Sequence, residues 1–287
     1  ICLPGGFSAL LSDGYLRFSP TVRKIKTEDK PYFYAVSDGF FRIPDTPFAI
    51  EYTGASALLQ KEHTALPDGF TLYDLYSYNE KHNEENGWNN TDGADDNRSW
   101  NCGYEGKSDN PGIEALRKRM IKNACAVLLC SRGTPMFLAG DEFCNTQFGN
   151  NNAYCQDNEI SWLDWSLLEK NREIYEFFRY MIAFRKKHSA IRGECSPSGL
   201  GFPTVSVHTN QPWDNNVTQE SKFLGVMFAG ALTAGSNQET ERTRELETED
   251  LVYLAVNVFW EDQQFFLPKL PNGFVWRLAV NTDQPEM

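Results

Sequence analysis

A chain of 287 residues with 41% hydrophobic content is long enough to bury the core of one large domain or two ordinary ones. Its 27 basic against 39 acidic residues leave a formal charge of -12, which repels phosphate backbones and anionic bilayers, so nucleic-acid and membrane partners are not expected. No apolar run approaches the roughly 20 residues that span a bilayer, Ile1 to Leu11 lacks the basic flank of a signal peptide, and the odd number of cysteines forms no disulfide framework, which together predict a reduced, cytoplasmic globular protein.

Residues 1–66 give short apolar runs broken by Gly, Pro and charge, with strands predicted around Tyr32 to Val36 and Phe48 to Tyr52. From Asp68 a long polar loop rich in Asn, Gly and Asp runs to about Pro111, and Ile113 to Cys130 then shows helical spacing. The basic cluster Arg117, Lys118, Arg119 and Lys122 reads as that helix's solvated face. Cys125 and Cys130 lie on it five residues apart, a step that points side chains in different directions, so no metal is expected there. After Gly133, Thr134 and Pro135, Met136 to Ala139 reads as a short buried strand.

A second Asn-rich loop covers Asn145 to Asn158, and Leu167 to His188 is predicted as one amphipathic helix whose apolar stripe holds Ile174, Phe177, Phe178, Met181, Ile182 and Phe184. Thr204 to Thr209, Phe223 to Ala229, Leu251 to Phe259, Gln264 to Leu267 and Val275 to Val280 then alternate or run apolar between turn residues, predicting an antiparallel sheet or sandwich. Thr233 to Asp250, crowded with Glu, Thr and Arg, reads as a solvated loop, and a domain boundary is placed near Arg192. Aromatic residues make up 14% of the chain, and many stand beside Asn and Asp in the loops, a mixture that suits neutral, hydroxyl-rich ligands.

Asp68-Gly69-Phe70-Thr71-Leu72, Asn79-Glu80-Lys81-His82-Asn83-Glu84 and Asn97-Arg98-Ser99-Trp100-Asn101 are followed by Gly133-Thr134-Pro135-Met136 and Ala139-Gly140-Asp141-Glu142-Phe143. Gly149 to Asn158 and Trp162-Leu163-Asp164-Trp165 complete the series. Over residues 68–165 this set closely resembles the isoamylase-type glycogen and starch debranching enzymes of the α-amylase clan of glycoside hydrolases, in their carboxy-terminal half. The fold implied is α/β: a partial (β/α)8 TIM barrel over residues 1–191, poorly matched over 1–66, followed by an all-β antiparallel sheet or sandwich over 192–287. Asp68 would then end barrel strand seven, Met136 to Ala139 would be strand eight, and both Asn-rich loops would rim the active-site face.

The activity implied is hydrolysis of α-1,6 branch points in glycogen, amylopectin or limit dextrin, with no cofactor and no metal. Retaining glycosidases set a nucleophile and a carboxylic acid about 5 Å apart. In the resemblance Asp68 is the clan's third carboxylate, which holds the distorted sugar, and Glu51 is the candidate acid/base. Asn79, Lys81, His82, Asn83, Trp88, Trp100, Asn151 and Tyr154 are the candidate substrate contacts, the rings by stacking and the amides by hydrogen bonds. Each Asn can equally serve its own backbone in an Asx turn.

Two departures stand out. Pro67 precedes Asp68 where relatives carry a histidine, and Gly14-Tyr15-Leu16-Arg17-Phe18, which faintly resembles the segment before the nucleophile, ends in Ser19, which cannot replace a carboxylate. With Glu51 closer to Asp68 than in relatives and a first residue that is not Met, a truncated, rearranged or frame-slipped reading of a longer gene is expected. The alternative function is a catalytically inactive glucan-binding fragment.

Overall fold

The computed structural model describes strand residues 8–12, 15–19 and 25–26, and residues 69–283 apart from 98, 133, 134, 219 and 232–248. The strands expected at Tyr32 to Val36 and Phe48 to Tyr52 lie outside the described residues, as do Glu51, Pro67 and Asp68. The chain divides into two compact units, one of residues 1–129, 133–181 and 281–287, the other of residues 130–132 and 182–280.

In the first unit β1 (Ser8–Ser12), β2 (Tyr15–Ser19) and β3 (Ile25–Lys26) form an antiparallel sheet in that order, with Ser8 opposite Ser19 and Tyr15 opposite Lys26. Tyr15 to Phe18, part of the segment that faintly resembles the one before the nucleophile, thus lies in the middle strand of an antiparallel meander. The polar loop predicted from Asp68 to Pro111 begins instead with buried structure. Helix α1 (Leu72–Leu75) is capped by Thr71, whose hydroxyl accepts the Asp74 N–H, and Phe70, Leu72 and Leu75 are buried.

Helix α2 (Pro111–Cys130) starts with proline at its first position, where a missing N–H leaves nothing unpaired. Its buried residues Ile121, Ala124, Cys125 and Leu128 keep the three-and-four spacing of a single apolar stripe. The expected solvated face needs correction. Arg117 is fully buried, and Lys122 is nearly so. The Arg117 guanidinium lies 2.9 Å from Glu114 Oε1 and donates to the carbonyls of Asn101 and Tyr104, so it is held by partners that sequence periodicity does not reveal.

Met136 to Ala139 is not a strand. The Leu138 N–H, which a ladder would need, donates at 2.9 Å to the Asp141 carboxylate, and the chain turns at Ala139 and Gly140 into a 3-10 turn over Asp141–Phe143. Every strand pairing among the described residues is antiparallel. The single helix predicted from Leu167 to His188 is two, α3 (Ser166–Lys170) and α4 (Arg172–Lys187). Between them sits buried Asn171, whose side-chain amide donates to the Phe143 carbonyl. Ile174, Phe177, Phe178 and Met181 form the buried stripe of α4, each contributing about 1.5–3 kcal/mol by leaving water. Lys118 of α2 reaches the Glu173 carboxylate at 2.8 Å.

In the second unit β4 (Val205–His208), β5 (Phe223–Ala231) and β6 (Glu249–Asn257) make an antiparallel sheet with β5 in the centre, bearing out the expected antiparallel arrangement for three of the five predicted strands. Gln264 to Leu267 and Val275 to Val280 are irregular instead: Phe266, Val275 and Leu278 are exposed, and Pro268 and Pro271 interrupt the ladder donors between them. The solvated loop predicted through Asp250 ends earlier, because Glu249 and Asp250 belong to β6. Buried Asp250 lies 2.6 Å from His188 Nδ1 and accepts the Ala190 N–H, tying α5 (Ser189–Arg192) to the sheet. Cys102, Cys125, Cys130 and Cys144 are buried free thiols, whereas Cys155 is exposed. Among the described residues no helix is long and apolar enough to cross a membrane.

Candidate functional site

Two Asn-rich loops of the first unit, residues 76–110 and 144–158, meet through their amides. The Asn83 side chain donates to Asn151 Oδ1 at 2.8 Å and to the Asp92 carbonyl at 2.9 Å, while the Asn151 N–H donates back to Asn83 Oδ1 at 2.9 Å. Asn151 Nδ2 then donates to the Ala94 carbonyl and to Asn97 Oδ1, at 2.8 and 2.7 Å. Both asparagines have 0% exposure, so in this conformation their polar atoms serve the loops themselves. Gly93 is required at the crossing. Its φ is +72°, and a Cβ there would stand 2.1 Å from Asn151 Oδ1.

A second cluster extends the junction. Asn86 donates to Asp92 Oδ2 at 2.8 Å and to the Asn152 carbonyl at 2.9 Å, and its own Oδ1 accepts from Asn150 and Gln156. The His82 N–H donates to the Gly149 carbonyl at 2.7 Å, and the His82 ring lies edge-on against Tyr78. The Gly69 N–H donates to the Asn151 carbonyl at 2.6 Å, so the residue that follows Asp68 is tied to this same junction.

Buried carboxylates anchor the loops from below. Asp74 accepts from the Thr146 hydroxyl and, at 2.7 Å, from the Gln147 N–H, fixing the start of the second loop. Asp141 accepts the Leu72 and Leu138 N–H groups at 2.8 and 2.9 Å. Burial pushes both acids up, Asp74 to about 6 and Asp141 to about 7, against hydrogen bonds that pull the other way. Glu105, near the surface, goes the other way. Burial raises it, but bonds from Asn79 N–H, the Asn101 amide and Glu80 N–H outweigh that and hold its carboxyl below the usual range.

The predicted contacts separate into two groups. Trp88, Trp100 and Tyr154 are 59%, 46% and 62% exposed, open to solvent on loops that are otherwise tightly bonded. Asn79 and His82 are also exposed, although Asn79 Oδ1 already accepts the Asn101 N–H. Lys81 is buried, with its ammonium 2.6 Å from the Asp95 carboxylate, and Asn83 and Asn151 form the junction just described. Asp68 and Glu51 lie outside the described residues. Sequence reasoning did not single out Asp74, Glu105 or Asp141. Thr71 and Asp74, a Thr-x-x-Asp pattern ahead of a helical turn, carried a usable signal for the first of them. It also passed over three exposed rings, Phe148 on the second loop and Trp162 and Trp165 just beyond it. Among the described residues no group of three or more His, Cys, Asp or Glu is placed to hold a metal.

Comparison with known proteins gives relatives over most of this chain. It is 38% identical over 257 residues to the glycogen operon protein GlgX homolog of Mycobacterium tuberculosis, covering 83% of this chain and 35% of that protein. It is likewise 38% identical to the GlgX homolog of Haemophilus influenzae, over 82% of this chain and 34% of the relative. Isoamylase 1, chloroplastic, of Oryza sativa subsp. japonica is 36% identical over 76% of this chain and 25% of the relative. The chain thus spans about a third or less of the length of the relatives it matches. No protein-family model matches. A solved pullulanase structure from Paenibacillus barengoltzii, complexed with maltotriose, aligns at 25% identity over 43% of this chain and 17% of that one, with a TM-score of 0.31, too low to speak for a shared architecture.

Proposed function

We propose, from the premise that this chain belongs by sequence with the GlgX and isoamylase proteins, that it is part of a glycoside hydrolase cleaving α-1,6 branch points of glycogen or starch. The observation that carries the reading is the junction of the two motif-bearing loops. Asn83 and Asn151 lock them together at 0% exposure while Trp88, Trp100 and Tyr154 stand open to solvent on the same loops. Flat rings on a pre-bonded frame offer the faces of glucose units a surface that needs no reordering on binding. The retaining chemistry of such enzymes needs a carboxylate nucleophile to take the glycosyl group as the leaving oxygen departs, a role this reading assigns to no residue of the chain; in it Asp68 holds the distorted sugar through bonds that tighten as positive charge develops, and Glu51 delivers the proton to the leaving oxygen. Within this reading Lys81, Asn83 and Asn151 act by positioning, and Asn79 and His82 contact hydroxyls at the rim. No cofactor enters such acid/base chemistry.

The partition that goes with this reading is a partial (β/α)8 barrel over 1–191 and a β domain over 192–287, in the cytoplasm, with a branched α-glucan as partner. A second reading is a glucan-binding fragment without turnover, favoured by Ser19 standing where the resemblance would put the nucleophile. Reducing-sugar release from a branched glucan by the purified chain, beside Asp68→Asn, separates the two. Release by the wild type and none by the variant supports hydrolysis at Asp68. Binding without release supports the fragment, and neither binding nor release removes both.

A further inference from the structure

The second unit carries an exposed aromatic whose backbone is strained and whose surroundings hold it in place. Trp213 sits at φ +69°, a region that bulky residues rarely occupy, and yet it is 48% exposed. Its ring is stacked on Phe202, with centroids 5.8 Å apart and planes within 16°. The backbone N–H of Trp213 donates at 2.8 Å to Nδ1 of His208, which is fully buried on β4 and whose Nε2 lies 2.9 Å from the Ser206 hydroxyl. With Nδ1 accepting, the His208 ring is the neutral tautomer that carries its proton on Nε2, in keeping with a pKa that burial pushes down. The loop closes on itself as well. The Thr209 N–H donates to the Asp214 carbonyl at 2.7 Å, and the Thr209 hydroxyl donates to the Asp214 carboxylate at 2.8 Å. Pro212 stiffens the approach to the tryptophan.

Strain held by so many bonds and presented to solvent is a mark of a binding position. We propose that Trp213, with Phe202 behind it, is a binding platform for a neutral α-glucan chain. The rim fits that ligand class. Asn210, Gln211, Asn215 and Asn216 are exposed amides, and residues 209–217 contain no Lys or Arg, so an anionic ligand finds no counter-charge. This inference rests on the glucan-directed reading above and adds to it a contact on the β-rich unit.

The test uses the full chain and maltoheptaose as probe. With 5-fluorotryptophan incorporated, the Trp213 fluorine signal, identified by its disappearance in Trp213→Phe, should shift on titration. In glycogen-containing native gels Trp213→Ala should lose about tenfold in apparent affinity, equivalent to the loss of one stacked ring, while Trp213→Phe stays within about threefold of wild type. A Trp213 signal that stays fixed while other tryptophan signals shift overturns this platform and leaves the first-unit reading standing. No shift at any tryptophan and no retardation of the wild type by glycogen overturns both.

Discussion

Asn83 and Asn151 each donate to the other's side-chain oxygen, one through its amide at 2.8 Å and one through its backbone N–H at 2.9 Å, so two loops far apart in sequence are closed by a reciprocal pair with no water access. Replacing Asn83 with Asp keeps the shape but sets an acceptor against the Asp92 carbonyl and Asn151 Oδ1. Stability should fall by about 2–4 kcal/mol, read as a lower urea midpoint at unchanged slope. A loss under about 0.5 kcal/mol would show that the pair closes nothing.

Gly93→Ala tests the same junction sterically. A methyl group 2.1 Å from Asn151 Oδ1, at a φ of +72°, should cost about 2 kcal/mol or more, and native-state proteolysis should then cut within residues 83–97. Unchanged proteolysis would contradict it.

Arg117 gives a third expectation. Removing its guanidinium in Arg117→Ala strands the Asn101 and Tyr104 carbonyls and leaves the Glu114 carboxylate with the Tyr73 hydroxyl but without its cation, at about 3–5 kcal/mol. Arg117→Lys should recover only part of that, because one ammonium cannot reproduce a planar fork. Equal stability of the Lys variant and wild type would refute the fork.

The buried acids predict a pH trend. A carboxyl whose folded pKa lies above its unfolded value binds its proton more tightly when folded, so its contribution to stability falls as pH rises from about 4 and levels off above the folded value. For Asp141, with a folded pKa of about 7, the wild type should lose stability relative to Asp141→Asn across that window, tracked by urea midpoints at intervals of one pH unit. A gap between the two that does not change with pH would rule out the burial shift.

Trp88→Ala and Tyr154→Ala act on exposed rings, so stability should stay within about 0.5 kcal/mol while affinity for maltoheptaose falls on the order of tenfold. Calorimetric titration of variants with unchanged melting temperatures checks this, and full retention of affinity would remove those rings from the site.

How legible the chain was depends on what each feature needs. Helix α2 and the strands at 205–208, 223–231 and 249–257 could be read because period and burial are local properties of the sequence. Gln264 to Leu267 looked the same on paper, yet apolar alternation says nothing about whether a partner strand lies alongside. The break at Asn171 depends on the Phe143 carbonyl, and the burial of Arg117 on carbonyls from a loop, both long-range facts. For the asparagines, residue type announced hydrogen bonding but not its destination. Asn83 and Asn151 turn inward, whereas Asn79, His82 and the three aromatic members of the predicted set stay exposed.

The buried cysteines equip the protein with a built-in reporter of its own opening. Burial pushes the Cys102 thiol up to about 11 and those of Cys130 and Cys144 up to about 12, so in the folded chain these three are neither reachable nor ionised near neutral pH. Among the described cysteines a thiol reagent added to intact protein therefore meets exposed Cys155 before the buried ones, and the later appearance of label at Cys102 or Cys144 times the moments when the first unit breathes.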